Sequence, residues 1–215
     1  MTLPETKILI FGARSFAEEV ADLVSEVPGL RVVGYVENLE RGRLDMLHGL
    51  PVYWIDDVVG LAKTHQAVCG LGTTLRRELI LQAKQMGFEF KSVVHPKAWV
   101  SATAVIGEGS IVSVGSVVAA RTVVGAHVVV NRCASIGHHV NIEDYTNIGP
   151  GSHIGGGCQI GSGVYIGIGA TLIDHVDIGS GSVIGGGAVV TKSLPARVLA
   201  VGVPARIVKE DIQGK

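Results

Sequence analysis

The sequence predicts an α/β domain followed by a parallel β-helix of triangular cross-section, and three observations carry that prediction. Every sixth residue from Val94 to Val190 is Val, Ile or Leu, seventeen positions in a row, although these types make up only 67 of the 215 residues. The residue after many of these aliphatics is Gly, and the fourth after is small or slender. The first ninety residues lack this period and alternate strand-like with helix-like segments.

In chain order, Lys7 to Phe11 reads as a buried strand, Gly12-Ala13-Arg14-Ser15 as a turn, and Phe16 to Glu26 as an amphipathic helix. Leu30 to Val36 is a second strand, Asp56 to Lys63 a short helix, and Gln66 to Leu71 a third strand. Thr74 to Met86 is a helix and Phe88 to Val94 a last strand. Strands alternating with helices predict a small parallel, Rossmann-like sheet. Ligands of such sheets bind beyond the carboxyl ends of the strands, which places Gly12 to Ser15, Glu37-Asn38 and Gly72-Thr73 around one crevice.

A helix buries a face every 3.6 residues and a strand every 2, so a strict six requires a short flat unit followed by a corner. Three units close one triangular coil, and residues eighteen apart lie above one another. The Gly after each aliphatic, such as Gly137 or Gly155, is expected to provide the sharp backbone excursion of the corner. The small column, including Ser110, Thr122, Ala134, Ser152 and Cys158, is expected to face inward beside the aliphatics.

The formal net charge of -1 shows no basic excess to suggest nucleic acid. Cys69, Cys133 and Cys158 have no paired spacing for a disulfide framework or a zinc ribbon. No apolar run is long enough to span a bilayer and no signal peptide is legible, so the expected compartment is the cytoplasm, without a membrane partner.

The repeat, aliphatic-Gly-x-x-small-x, resembles the hexapeptide-repeat acyltransferases, and this resemblance implies that the β-helix is left-handed. A Rossmann-like domain of about ninety residues before the repeats and a closing Gly202-Val203-Pro204-Ala205-Arg206 resemble the NeuD/PglD-type sugar acetyltransferases. The resemblance covers the whole chain. It implies residues 1–92 as a nucleotide-sugar-binding domain, 93–194 as the acyltransferase β-helix, and 195–215 as a tail near the CoA site. It also implies a homotrimer, acetyl-CoA as co-substrate and a nucleotide-linked amino sugar as acceptor.

Carried over position by position, the family's first turn Gly-Ala-Ser-Gly-His-Gly matches at Gly12-Ala13 and departs at Arg14, Ser15, Phe16 and Ala17. Arg14 is a candidate phosphate grip. The family's acidic pair after the second strand becomes Glu37-Asn38, and Gly72, Thr73 and Arg76 fit its Gly-Asn-Asn-x-x-Arg element. All of these are implied substrate contacts.

An acceptor amine attacks a thioester only when unprotonated, so the chemistry needs a base, and His suits that task near neutral pH. The family's aliphatic-acidic-His-acidic segment matches Ile136-Gly137-His138-His139, which makes His138 the implied base and His139 the replacement of the acid that would orient it. Asp174 shares the column of His138 but stands two coils up, roughly 9 to 10 Å away; Glu143, Asp144 or a residue of another subunit are alternative orienting groups. Gly156, eighteen after His138, matches the glycine whose N–H binds the thioester oxygen. Ile168, Gly186, Val203, Pro204 and Ala205 match positions lining the pantetheine channel, and Lys192, Arg206 or Lys209 are candidates to meet CoA phosphates.

No metal site is expected. His138 and His139 are adjacent and expected on opposite faces of a strand, with His175 two coils above. The activity so predicted is acetyl-CoA-dependent N-acetyltransfer to a nucleotide-linked amino-deoxysugar of surface-glycan synthesis. The alternatives are a sugar O-acetyltransferase of the sialic acid type and a non-catalytic ligand-binding trimer.

Overall fold

The computed structural model describes residues 5–212 and 214–215, so the first four residues of the expected N-terminal domain and Gln213 of the tail lie outside it. Four parallel strands form the N-terminal sheet: β1 (Thr6–Phe11), β2 (Leu30–Glu37), β4 (Leu50–Trp54) and β5 (Gln66–Cys69). The sequence reading missed β3 (Met46–Leu47), which turns back antiparallel on β4 to give the order β3-β4-β2-β1-β5. The first helix, α1 (Ser15–Ser25), buries Ala17, Val20, Leu23 and Val24 against the sheet.

Three expectations need correction. The helix expected at 56–63 is a 3-10 turn, Ile55–Leu61. The helix expected from Thr74 starts later, as α2 (Arg77–Gln85), because Arg76 turns inward. The strand expected from Phe88 to Val94 does not form as one unit: Phe90 makes a lone bridge to Ala67, and Val93–Val94 pairs with Ile111–Val112 of the repeats.

The repeats form a left-handed parallel β-helix with three faces. The first face stacks Val93–Val94, Ile111–Val112, Val129–Val130, Asn147–Ile148, Tyr165–Ile166 and Val183–Ile184, and ends on Leu199–Val201 and the antiparallel Arg206–Lys209. The second runs from Trp99–Val100 to Val189–Val190 and the third from Val105–Ile106 to Asp177–Ile178. Paired residues are eighteen apart, as in Ser135 beside His153. Aliphatics and small residues fill the interior, with Ser110, Thr122, Ala134, Ser152 and Cys158 all fully buried.

The corner is built differently from the sequence expectation. The left-handed backbone falls on the third residue after each aliphatic, from Gly109 to Gly187 in steps of six; six of these fourteen positions carry a side chain (Arg121, His127, Cys133, His139, Tyr145 and His175, with His139 at φ 57° and His175 at φ 56°) and eight are glycines.

 The Gly directly after the aliphatic serves close stacking instead. A Cβ on Gly137 would stand 2.6 Å from the Gly156 nitrogen, and one on Gly161 would stand 2.6 Å from the Ser180 nitrogen, so the next coil leaves no room for it.

The N-terminal domain packs on the first face. Val93 and Ile111 join the cluster of Ile8, Ile10 and Val20, and Arg132 pairs with Glu19 at 2.7 Å. His127 is buried between Phe90 and Tyr145, edge-on to the first (centroids 5.0 Å apart) and stacked on the second (5.5 Å), and neither ring nitrogen has a partner. Burial, with Lys84 nearby, lowers its pKa to about 4. Among the described residues no helix is long and apolar enough to cross a membrane.

The depressed pKa of His127 sets a pH dependence. The unfolded chain takes up this proton below the ordinary value of 6.5 and the folded chain only near 4, so stability is lost as pH falls through that window. The full loss is about 3 kcal/mol. Chemical denaturation at pH 7 and pH 4 should show His127→Phe losing less stability than wild type by roughly that amount. Equal losses would show that His127 does not govern the window.

Candidate active site

The first candidate region is the crevice at the carboxyl ends of β1, β2 and β5. Gly12 has φ 125° and a Cβ there would stand 3.1 Å from the Gly70 carbonyl oxygen, so a bare backbone is required where the two strand ends meet. Ala13 is buried and its carbonyl accepts from Arg43 Nη2. Arg14 and Ser15 are exposed, and Arg14 makes no side-chain cap to α1. Glu37 is buried: Oε1 accepts from the N–H groups of Asn38 and Leu39, both at 2.9 Å, and Oε2 lies 3.5 Å from Arg43 Nε. Its carboxylate therefore shapes the Asn38 turn. Arg43, which the sequence reading missed, reaches in from an irregular loop with no pattern to mark it.

Arg76 corrects an expectation. Although implied as a substrate contact, it is 1 % exposed. Nε and Nη2 donate to the His127 carbonyl, Nη2 also to the Thr146 carbonyl (3.2 Å), and Nη1 to the Thr73 carbonyl and to Asn147 Oδ1 (2.9 Å). Asn147 in turn donates to the Gly72 carbonyl at 2.8 Å. Arg76 is thus a bolt between the Gly72-Thr73 loop and the β-helix, and burial lowers its pKa. Thr73 is also engaged, donating to the Lys215 carbonyl at 2.7 Å.

The second region is the corner between the second and third faces, where His138 and His139 are exposed. They lie in the turn after Ser135–Ile136, not on a strand, and the left-handed His139 swings its ring towards its neighbour. The two Nδ1 atoms are 3.1 Å apart and the rings are nearly perpendicular at 87°. The expectation of opposite faces is therefore corrected. Asp144 and Glu143 do not orient His138: Asp144 Oδ1 accepts from the Ala126 N–H at 2.7 Å and Glu143 Oε2 from the Ser162 N–H at 2.9 Å, on the next corner.

Gly156 is directly above. A Cβ on it would stand 2.8 Å from His138 Cε1 and 2.9 Å from Nε2, so the imidazole covers this glycine. Among the described residues its N–H has no acceptor. A proton acceptor and a free backbone donor thus meet on one corner, as acyl transfer requires. Among the described residues no three His, Cys, Asp or Glu side chains converge to hold a metal.

The remaining implied residues lie elsewhere. Ile168 is exposed on the corner between the first and second faces, with Gly186 above it, where a Cβ would stand 3.1 Å from Ile168 Cγ2. Val203 and Pro204 are exposed near the top of the prism. Ala205 is a correction: it is buried in the β-helix core and its N–H donates to the Val189 carbonyl at 2.7 Å.

Comparison with known proteins agrees with this fold. The family model described as bacterial transferase hexapeptide (six repeats) matches residues 139–172 and 157–192. No curated protein matches the sequence. Among solved structures, perosamine N-acetyltransferase from Caulobacter crescentus, in a histidine variant bound to CoA and GDP-perosamine, is 28% identical with TM-score 0.88, covering 95% of this chain and 97% of its own. The acetyltransferase domain of PglB from Neisseria gonorrhoeae, in complex with acetyl coenzyme A, is 28% identical with TM-score 0.87, covering 95% of this chain and 100% of its own. WeeI from Acinetobacter baumannii is 27% identical with TM-score 0.81, covering 94% and 100%.

The bolt reading of Arg76 has a measurable consequence. Arg76→Lys keeps one charge but loses the fork of donors, which should cost about 2 kcal/mol and lower the melting temperature by about 4–8 °C. An unchanged melting temperature with weakened ligand binding would restore Arg76 as a ligand contact. Residues 139–192 match the hexapeptide repeats of bacterial transferases, and over nearly its whole length the chain is similar in structure to the perosamine and PglB sugar acetyltransferases.

Proposed function

We propose that the protein transfers the acetyl group of acetyl-CoA to the amino group of a nucleotide-linked amino-deoxysugar, by direct transfer with His138 as general base. The observation that carries this reading is the His138 imidazole over the unpaired N–H of Gly156. The likeness to the perosamine and PglB acetyltransferases over nearly the whole chain supports the substrate class. In this reading residues 1–92 hold the nucleotide sugar, 93–194 carry the transfer, and 195–215 flank the donor. In this reading the enzyme works in the cytoplasm and supplies surface-glycan synthesis.

The chemistry follows from the corner. Nε2 of His138 takes the proton of the amine as nitrogen attacks the thioester carbon, and the Gly156 N–H meets the developing oxyanion. Nε2 is free for this only in the tautomer where His138 Nδ1–H donates to His139 Nδ1, the two being 3.1 Å apart. The oxyanion then collapses and expels the thiolate. No acyl-enzyme is formed.

The parts do not meet within one chain. The crevice is bolted to the first face near Asn147, His138 stands on the corner between the second and third faces, and Ile168 and Gly186 stand on the corner between the first and second. Each face is six residues wide, at most about 20 Å of extended chain, so one copy leaves the groups a full face apart. A homotrimer that sets the corner of one copy against its neighbour closes this gap.

Two experiments test the reading. With UDP-, dTDP- and GDP-linked 4-amino sugars as acceptors, thiol release should fall at least about a hundredfold in His138→Ala, while His139→Glu, which restores the family's acid, should keep turnover. Turnover only with a sugar hydroxyl would mark an O-acetyltransferase, and acetyl-CoA binding without any turnover a binding protein. Mixing His138→Ala with Arg14→Ala, the latter shown first to be inactive, should recover about a quarter of wild-type activity if each site joins two copies. No recovery after subunit exchange would place each site within one chain.

A further inference from the structure

The corner that carries His138 holds a second imidazole on the opposite side of Gly156. Successive rungs there present His138-His139, Gly156-Gly157 and Asp174-His175. Strand spacing puts the first and third of these roughly 9.6 Å apart. The rung between them has no side chain, and both rings lean over it. A Cβ on Gly157 would stand 2.5 Å from His175 Nδ1 and 2.6 Å from its Cε1, as one on Gly156 would meet the His138 ring from the other side. The left-handed backbone of His175, φ 56°, is what turns its ring back onto the glycine rung.

We infer that His175, supported by Asp174, is the general acid that returns a proton to the departing thiolate. This rests on the reading of His138 as the base. If the amine is deprotonated on the His138 side and the oxyanion is held at Gly156, the leaving sulfur is directed away from His138, towards His175. The rung between the two rings carries no side chain, so the tetrahedral carbon with its nitrogen and sulfur can lie against Gly156-Gly157 with one ring on either side.

The step balances. The nitrogen–carbon bond forms as the amine proton passes to His138 Nε2, the carbon–sulfur bond breaks, and the sulfur takes a proton from His175 Nδ1. Solvent then carries one proton from His138 and one to His175, leaving amide and free thiol. Asp174 Oδ2 stands 4.0 Å from Nε2, the nitrogen turned away from Gly157, and is placed to face the doubly protonated ring. The other charged groups around His175 are Lys192, one rung above Asp174, and Asp177, with His139 two rungs below; Cys158 points into the prism, where burial raises its thiol pKa.

The test uses His175→Asn, since Asn tolerates the left-handed backbone and the site is exposed. With acetyl-CoA, kcat should fall about tenfold with KM for both substrates unchanged, and the basic limb of the kcat profile should disappear. With the selenium analogue of acetyl-CoA, whose selenolate leaves without a proton, variant and wild type should turn over at similar rates. An equal loss with both donors, or no loss with either, overturns the assignment while leaving His138 as base. A wild type silent on every amino sugar overturns the parent reading, and this one with it.

Discussion

The structure depends on one constraint, the stacking of six-residue units at strand spacing. A Cβ on Gly137 or Gly161 would fall 2.6 Å from backbone nitrogen of the next coil, so the position after each aliphatic is confined to what fits under a neighbour. The left-handed turn two residues later makes the corner, and where that residue is not glycine it throws a side chain out of the prism at a fixed angle. His139 and His175 are such residues. The register that stacks aliphatics eighteen apart also stacks His138 under Gly156, so the scaffold and the chemistry share one geometric cause.

A second constraint joins the two domains. Arg76 is buried without a carboxylate partner, and its charge is met by backbone carbonyls of Thr73, His127 and Thr146 and by the Asn147 side chain. A buried cation is costly unless its donors are satisfied, so these acceptors must all be presented at once. That condition fixes the Gly72-Thr73 loop at one height on the first face. The loop cannot follow a ligand independently of the β-helix.

What the sequence made legible is what depends on period. Seventeen aliphatics at spacing six defined the prism, its inward small column and the vertical neighbours of His138. What it hid depends on direction. The left-handed position was misassigned to the conspicuous glycines, because six residues with side chains occupy the true one and blur its signal. Arg76 was matched to a substrate-contact position of the family, and that match carries no sign of its burial; the match of Ala205 to the pantetheine channel likewise does not record its bond to Val189. Phe88 to Val94 read as a strand because its apolar run is shared between a bridge to β5 and the first rung of the repeats.

The His138-His139 contact shows how a substituted partner changes the balance of a dyad. A carboxylate beside the base would fix its tautomer and attract the proton, and the pair would be neutral once the proton is taken up. His139 fixes the ring through the same Nδ1 contact, 3.1 Å long, but adds no negative charge. In the proposed transfer, the proton taken from the amine leaves this pair with a net positive charge beside Gly156, where the oxyanion would develop. The imidazole of His139 therefore keeps the orienting contact of the family's acid and leaves that positive charge uncompensated, which is how it can stand where the resemblance leads one to expect an acid.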